Sequence, residues 1–133
     1  MNESTLTSAL MHKLREQLRG YECFRHPASY LSQAGIPDVS ITGYGRTTWL
    51  EVKFAKPSIR SRGIQDQTML RLAGAGRAYY IIYHLEHDIK RMGIVHPRIV
   101  HDSDTNLWKY TGEWTLGFKH AMVADFIRRG HET

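Results

Sequence analysis

One cysteine, four prolines and no apolar run long enough to span a bilayer are the first features of this 133-residue chain. The lone thiol, Cys23, excludes an internal disulfide and has no neighbours at metal-ligand spacing, so it reads as a small buried hydrophobe. Without a long apolar stretch there is no candidate membrane helix. The opening Met1-Asn2-Glu3-Ser4 lacks the pattern of a secretory signal. Both absences lead to the expectation of a cytoplasmic protein with no membrane partner. No glycine-rich phosphate loop occurs, so no nucleotide cofactor is expected. Eight histidines are present, with His84, His87, His96 and His101 close in sequence. They have no cysteine partner and no His-Glu-x-x-His arrangement, and they read as dispersed surface residues rather than a zinc site.

What is present fits one domain, residues 1–133, with a hydrophobic content of 41%. The formal charge of +5 and a pI near 9.5 favour a polyanionic partner. The charge is uneven. Lys53, Lys56, Arg60 and Arg62 follow one another with no acid among them, as a loop that contacts phosphates would.

The most informative stretch runs from Gly35 to Lys53. Residues 39–42 and 47–54 are β-rich and flank Gly43-Tyr44-Gly45-Arg46, which predicts a hairpin with a four-residue loop. Folding it there sets Thr42 against Thr47, Ser40 against Trp49 and Asp38 against Glu51. Alternation along the strands puts Asp38, Ser40, Trp49, Glu51 and Lys53 on one face, and Val39, Ile41, Leu50, Val52 and Phe54 on the other. The second face is expected to be core and the first to carry chemistry. Two carboxylates opposed across a strand pair repel unless something positive lies between them. A divalent cation is the simplest resolution, and an all-oxygen donor set suits Mg²⁺ or Mn²⁺. Lys53 would project beside that ion.

Around this hairpin, a helix over residues 6–19 is expected, capped by Ser4 or Thr5, with Leu6, Leu10, Leu14 and Leu18 buried and Gly20 as its stop. Residues 21–26 read as a strand with Arg25-His26 at its end, and Arg25 is expected to point toward substrate. A helix over 64–75 and a doubly buried strand over 78–83 then imply a β-α-β crossover, with that strand parallel to the one bearing Glu51. The expected fold is α/β, an αβββαβ core over residues 3–84 in a mixed sheet flanked by helices. Residues 85–133 form a C-terminal extension: a short helix at 84–91, an extended segment at 93–100, a hairpin at 107–114 and an amphipathic helix at 118–129.

Pro37-Asp38, then Glu51-Val52-Lys53 at the end of the next strand, resembles the signature of the PD-(D/E)XK nucleases, the superfamily of type II restriction enzymes and archaeal Holliday junction resolvases. The wording Gly35-Ile36-Pro37-Asp38 with Trp49-Leu50-Glu51-Val52-Lys53, followed by a Gln-bearing helix ending in Ala-Gly, is most similar to the VRR-Nuc branch, which includes small phage nucleases. The resemblance covers residues 3–83. It implies a restriction-endonuclease-like fold and Mg²⁺-dependent hydrolysis of DNA, with Asp38, Glu51 and the Val52 carbonyl on the metal and Lys53 beside the attacking water. It also implies a glutamine on the second helix, Gln65 first and Gln67 as rival, and a supporting acid on the first helix, for which Glu3 is the candidate. Arg25, Lys56, Arg60 and Arg62 would contact DNA. A homodimer acting on branched DNA and a bacterial, archaeal or phage origin complete the expectation.

Three functions are therefore open: a structure-selective endonuclease of the junction-resolving kind, a restriction-type or nicking enzyme, and a nucleic-acid-binding module that keeps the fold without cutting. An intact Asp38, Glu51 and Lys53 argues against the last.

Overall fold

The computed structural model describes residues 1–26, 35–55, 64–102 and 111–133, with backbone alone for residues 64–66 and 101–102. Helix α1, Glu3–Gln17, starts earlier than expected because Asn2 caps it. The Asn2 side chain accepts from the Thr5 N–H at 2.9 Å, and the Asn2 N–H donates to the Thr5 hydroxyl at 3.1 Å. Thr5 thus acts inside the helix as the returning half of a capping box and not as the cap. Leu6, Thr7, Leu10, Met11 and Leu14 are buried along one side of the helix, and Leu18 follows them into the core.

Six strands form one sheet in sequence order: β1 (Glu22–Arg25), β2 (Val39–Gly43), β3 (Arg46–Ala55), β4 (Arg77–Glu86), β5 (Ile89–Val95) and β6 (Glu113–Leu116). All neighbours are antiparallel except β3 and β4, which are parallel and connected through α2 (Ile64–Ala75). The continuous apolar run Ala78-Tyr79-Tyr80-Ile81-Ile82-Tyr83 occupies the middle of the sheet, where both faces are covered.

Covering is by two cores. On one face Leu6, Leu10, Leu14 and Leu18 meet Val39, Ile41, Leu50, Val52, Ile81 and Tyr83, together with Val123, Ala124 and Ile127 of α4 (His120–His131). On the other, Met69 of α2 and Val100 of α3 (Pro97–Asp102) join Ala55, Ala78, Tyr80, Ile82 and Val95. Trp49, on the chemistry-bearing face of the hairpin, packs against this second core.

The C-terminal portion differs most from the sequence reading. Residues 84–91 are not a helix: β4 continues through Glu86, turns at His87-Asp88 and returns as β5. Both turn residues have positive φ, 52° and 62°, a conformation that histidine and aspartate tolerate better than most. The extended segment expected at 93–100 is extended only to Val95, after which Pro97 opens α3. Most of the hairpin expected at 107–114 lies outside the described residues. Strands β5 and β6 widen the same sheet. At their contact Gly93 faces Trp114, and a Cβ on Gly93 would lie 2.5 Å from the indole. No helix among the described residues is long and apolar enough to cross a membrane.

Candidate active site

The β2–β3 hairpin turns tightly at Tyr44-Gly45, both at positive φ, in place of the expected four-residue loop. Such two-residue turns match the twist of the strands they join. The strands pair one position further than anticipated, up to Gly43 against Arg46, but the register is the expected one: Ser40 faces Trp49 and Thr42 faces Thr47. Asp38 lies one residue before β2, on the line that continues to Glu51.

Two backbone hydrogen bonds lock this pair. The Asp38 N–H donates to Glu51 Oε1 at 3.0 Å, and the Val52 N–H donates to Asp38 Oδ2 at 2.8 Å. Each carboxylate is thus held by the strand that carries the other. Glu51 and Lys53 are almost inaccessible, 1% and 2% exposed, and Lys53 Nζ sits 3.8 Å from Glu51 Oε2 and 5.9 Å from the centre of the Tyr80 ring. Burial pushes the Glu51 carboxyl up to about 9, reinforced by the Asp38 charge and a hydrogen bond between the two carboxyls. The Lys53 ammonium and the Asp38 N–H pull the other way without prevailing.

Such a site has too little positive charge for its two acids. Its donors are oxygens, one pair buried and pre-set by backbone bonds, which fits a small hard cation such as Mg²⁺. Among the described residues no group of three or more His, Cys, Asp or Glu is placed to hold a metal, so Asp38 and Glu51 stand as a pair. Glu3, in the first turn of α1, does not make them a trio.

The remaining expected residues divide. Arg25 lies on the opposite side of the sheet from the carboxylates, because alternation along β1 turns it toward α1, where its guanidinium donates to Ser8 Oγ at 2.8 Å and Ser4 Oγ at 3.0 Å. That corrects its expected substrate-facing role. Gln67 is exposed on α2. Gln65 precedes the buried Met69 by one helical turn, and its side chain lies outside the described residues, as do Lys56, Arg60 and Arg62.

Sequence reasoning missed His26. Its N–H donates to the Asp38 carbonyl at 2.7 Å, so it extends β1 alongside Asp38. Its Nε2 shares a 2.7 Å hydrogen bond with Ser40 Oγ, and its ring lies 5.6 Å from that of Trp49. Pairing β1 with β2 was the step that would have placed it.

No family model matches the chain, and neither does any curated protein sequence. Among solved structures it is similar to Hjc, a Holliday junction resolvase from the archaeal hyperthermophile Archaeoglobus fulgidus. The TM-score is 0.57 at 14% identity, over 92% of this chain and 98% of that one. No match points to the VRR-Nuc branch. At this identity the likeness is one of architecture: the chain has a mixed α/β, Hjc-like restriction-endonuclease fold.

Proposed function

We propose that the chain is a metal-dependent endodeoxyribonuclease that hydrolyses phosphodiester bonds, selective for branched DNA. The observation that carries this reading is the locked Asp38–Glu51 pair with Lys53 beside it. The fold shared with a Holliday junction resolvase and the +5 charge support it.

Asp38, Glu51 and the Val52 carbonyl are the groups that would hold Mg²⁺ or Mn²⁺. When bound, the ion supplies Lewis-acid polarisation of a phosphate oxygen and a lower pKa for water. Lys53 donates to the phosphate oxygens as charge grows on them, and its burial keeps that donation strong. The backbone bonds of Asp38 and Val52 fix both carboxylates in advance, so little reorganisation is needed when substrate arrives. Gln65 is proposed to orient the attacking water. Because each chain carries one such pair and a junction has two strands to cut, a homodimer is the proposed assembly.

The test is incubation of plasmid, linear duplex and synthetic four-way junction with Mg²⁺, Ca²⁺ or EDTA. Cleavage with Mg²⁺, strongest on the junction and absent from Asp38→Ala, is expected. Equal products from wild type and Asp38→Ala would remove the site from consideration.

A further inference from the structure

Beside the carboxylates lies a patch that the hydrolytic reading leaves unused. Cys23 is buried and Arg25 turns to α1, so alternation along β1 sends Phe24 and His26 to the face that carries Asp38 and Glu51. Phe24 pairs with Ser40, and Ser40 with Trp49, giving a row across three strands. The next row is His26, Asp38 and Glu51. His26 is held over the first row by its bond to Ser40 and its tilted contact with Trp49, 36° between planes. Phe24 is 53% exposed, a large aromatic surface facing solvent one row from the carboxylate pair. A ring exposed to that degree keeps a face free to stack on another flat surface.

We infer that Phe24, His26 and Trp49 form a stacking subsite for an unpaired nucleobase next to the phosphate held at Asp38 and Glu51. The preferred DNA then carries an unstacked nucleotide beside the cut. This rests on the proposed function for what lies at the carboxylates. Rows are spaced roughly 7 Å along a strand and neighbouring strands about 5 Å apart. The patch is thus within about one nucleotide of the cleft along an extended strand. A base inside a duplex has both faces covered by its neighbours, whereas an unpaired base offers a free face to an aromatic ring. An apolar peptide fits less well, because the part-exposed Asp38 borders the patch and would lose water without gaining a partner. A base keeps a polar edge for it, and the net positive charge attracts its backbone.

The experiment measures binding in EDTA, where no cutting competes, of a blunt duplex and of the same duplex with an unpaired bulge. Phe24→Ala is expected to weaken the bulged probe about tenfold while leaving the blunt probe nearly unchanged, and Phe24→Trp to restore it. A 2-aminopurine in the bulge should be quenched by wild type and by Phe24→Trp, and not by Phe24→Ala. Equal loss on both probes, no loss on either, or a wild type that binds neither probe overturns the inference. Cleavage is scored separately. A chain that holds the bulge through Phe24 but cuts nothing refutes hydrolysis and keeps the subsite, and one that cuts with Phe24→Ala indistinguishable from wild type does the reverse.

Discussion

At Glu51 burial and the neighbouring Asp38 charge favour the neutral acid, the Lys53 ammonium favours the anion, and burial with Asp38 outweighs the ammonium. The consequence is a dependence on pH. A carboxyl raised in the fold from 4.5 to about 9 binds its proton more tightly there than in the unfolded chain. Its contribution to stability is therefore full below pH 4.5 and is lost as pH rises toward 9. Glu51→Gln keeps the shape of the protonated acid and does not have to take up a proton. In EDTA it should raise stability at pH 7, by at most about 3 kcal/mol, and flatten the decline from pH 5 to pH 9. Urea unfolding at several pH values measures this. Addition of Mg²⁺ at pH 7.5 should raise the melting temperature of wild type and leave that of Glu51→Gln nearly unmoved. A variant less stable than wild type at pH 7 would mean that the Lys53 attraction dominates after all.

At the scale of elements, α4 is fastened to the hairpin through His131, which is buried at the helix end. The Gly43 carbonyl can only accept, so His131 Nδ1 donates to it, at 2.9 Å. Nε2 is then left to accept from the Thr48 hydroxyl at 2.7 Å, and that hydroxyl itself accepts from Arg77 Nε at 3.1 Å. This chain of donors requires a neutral imidazole. Burial lowers the His131 pKa, as do the Arg77 and Arg46 charges, while the Gly43 bond and Glu132 oppose them. A histidine with a lowered pKa stabilises the fold above its unfolded value near 6.5, and that stability is lost as pH falls below it. Thr48→Val should cost about 1–3 kcal/mol at pH 7, since it strands both His131 Nε2 and Arg77. Thermal melts of both proteins at pH 7 give the comparison. Contacts of this type were not legible in the sequence, because Thr48 and His131 lie 83 residues apart and nothing local announces their meeting. The hairpin that holds Asp38 and Glu51 was legible, because glycines bracket Tyr44 and period-two alternation runs through both strands. The β4–β5 hairpin was hidden because its turn uses His87-Asp88 with no glycine, and His84-Leu85-Glu86 continues a strand without the β-branched residues that would mark it. Arg25 was misplaced for a related reason: the face of a four-residue strand is set by its partner's register, which the sequence of β1 alone does not contain.

For the whole molecule, the sheet leaves β1 and β6 as its edges, and the carboxylate pair lies close to the β1 edge. Among the described residues one chain therefore presents one carboxylate pair, off-centre, and the proposed DNA would meet it along that edge. Two strands of a junction can be cut in one encounter only if a second cleft is supplied by a second copy. The proposed homodimer makes this measurable on a supercoiled plasmid with an extruded cruciform. Wild type is expected to give linear DNA directly, because both cuts occur before dissociation. Co-expression of wild type with a differently tagged Asp38→Asn chain, followed by purification through both tags, isolates heterodimers with a single working cleft. These should accumulate nicked circles and make linear product only slowly, by rebinding. If the chain acts as a monomer, no doubly tagged species will be recovered, and wild type itself will pass through a nicked intermediate. Raising salt sharpens the contrast, because a dimer that spreads its phosphate contacts over two chains should lose affinity with a steeper log–log slope than a single chain can show.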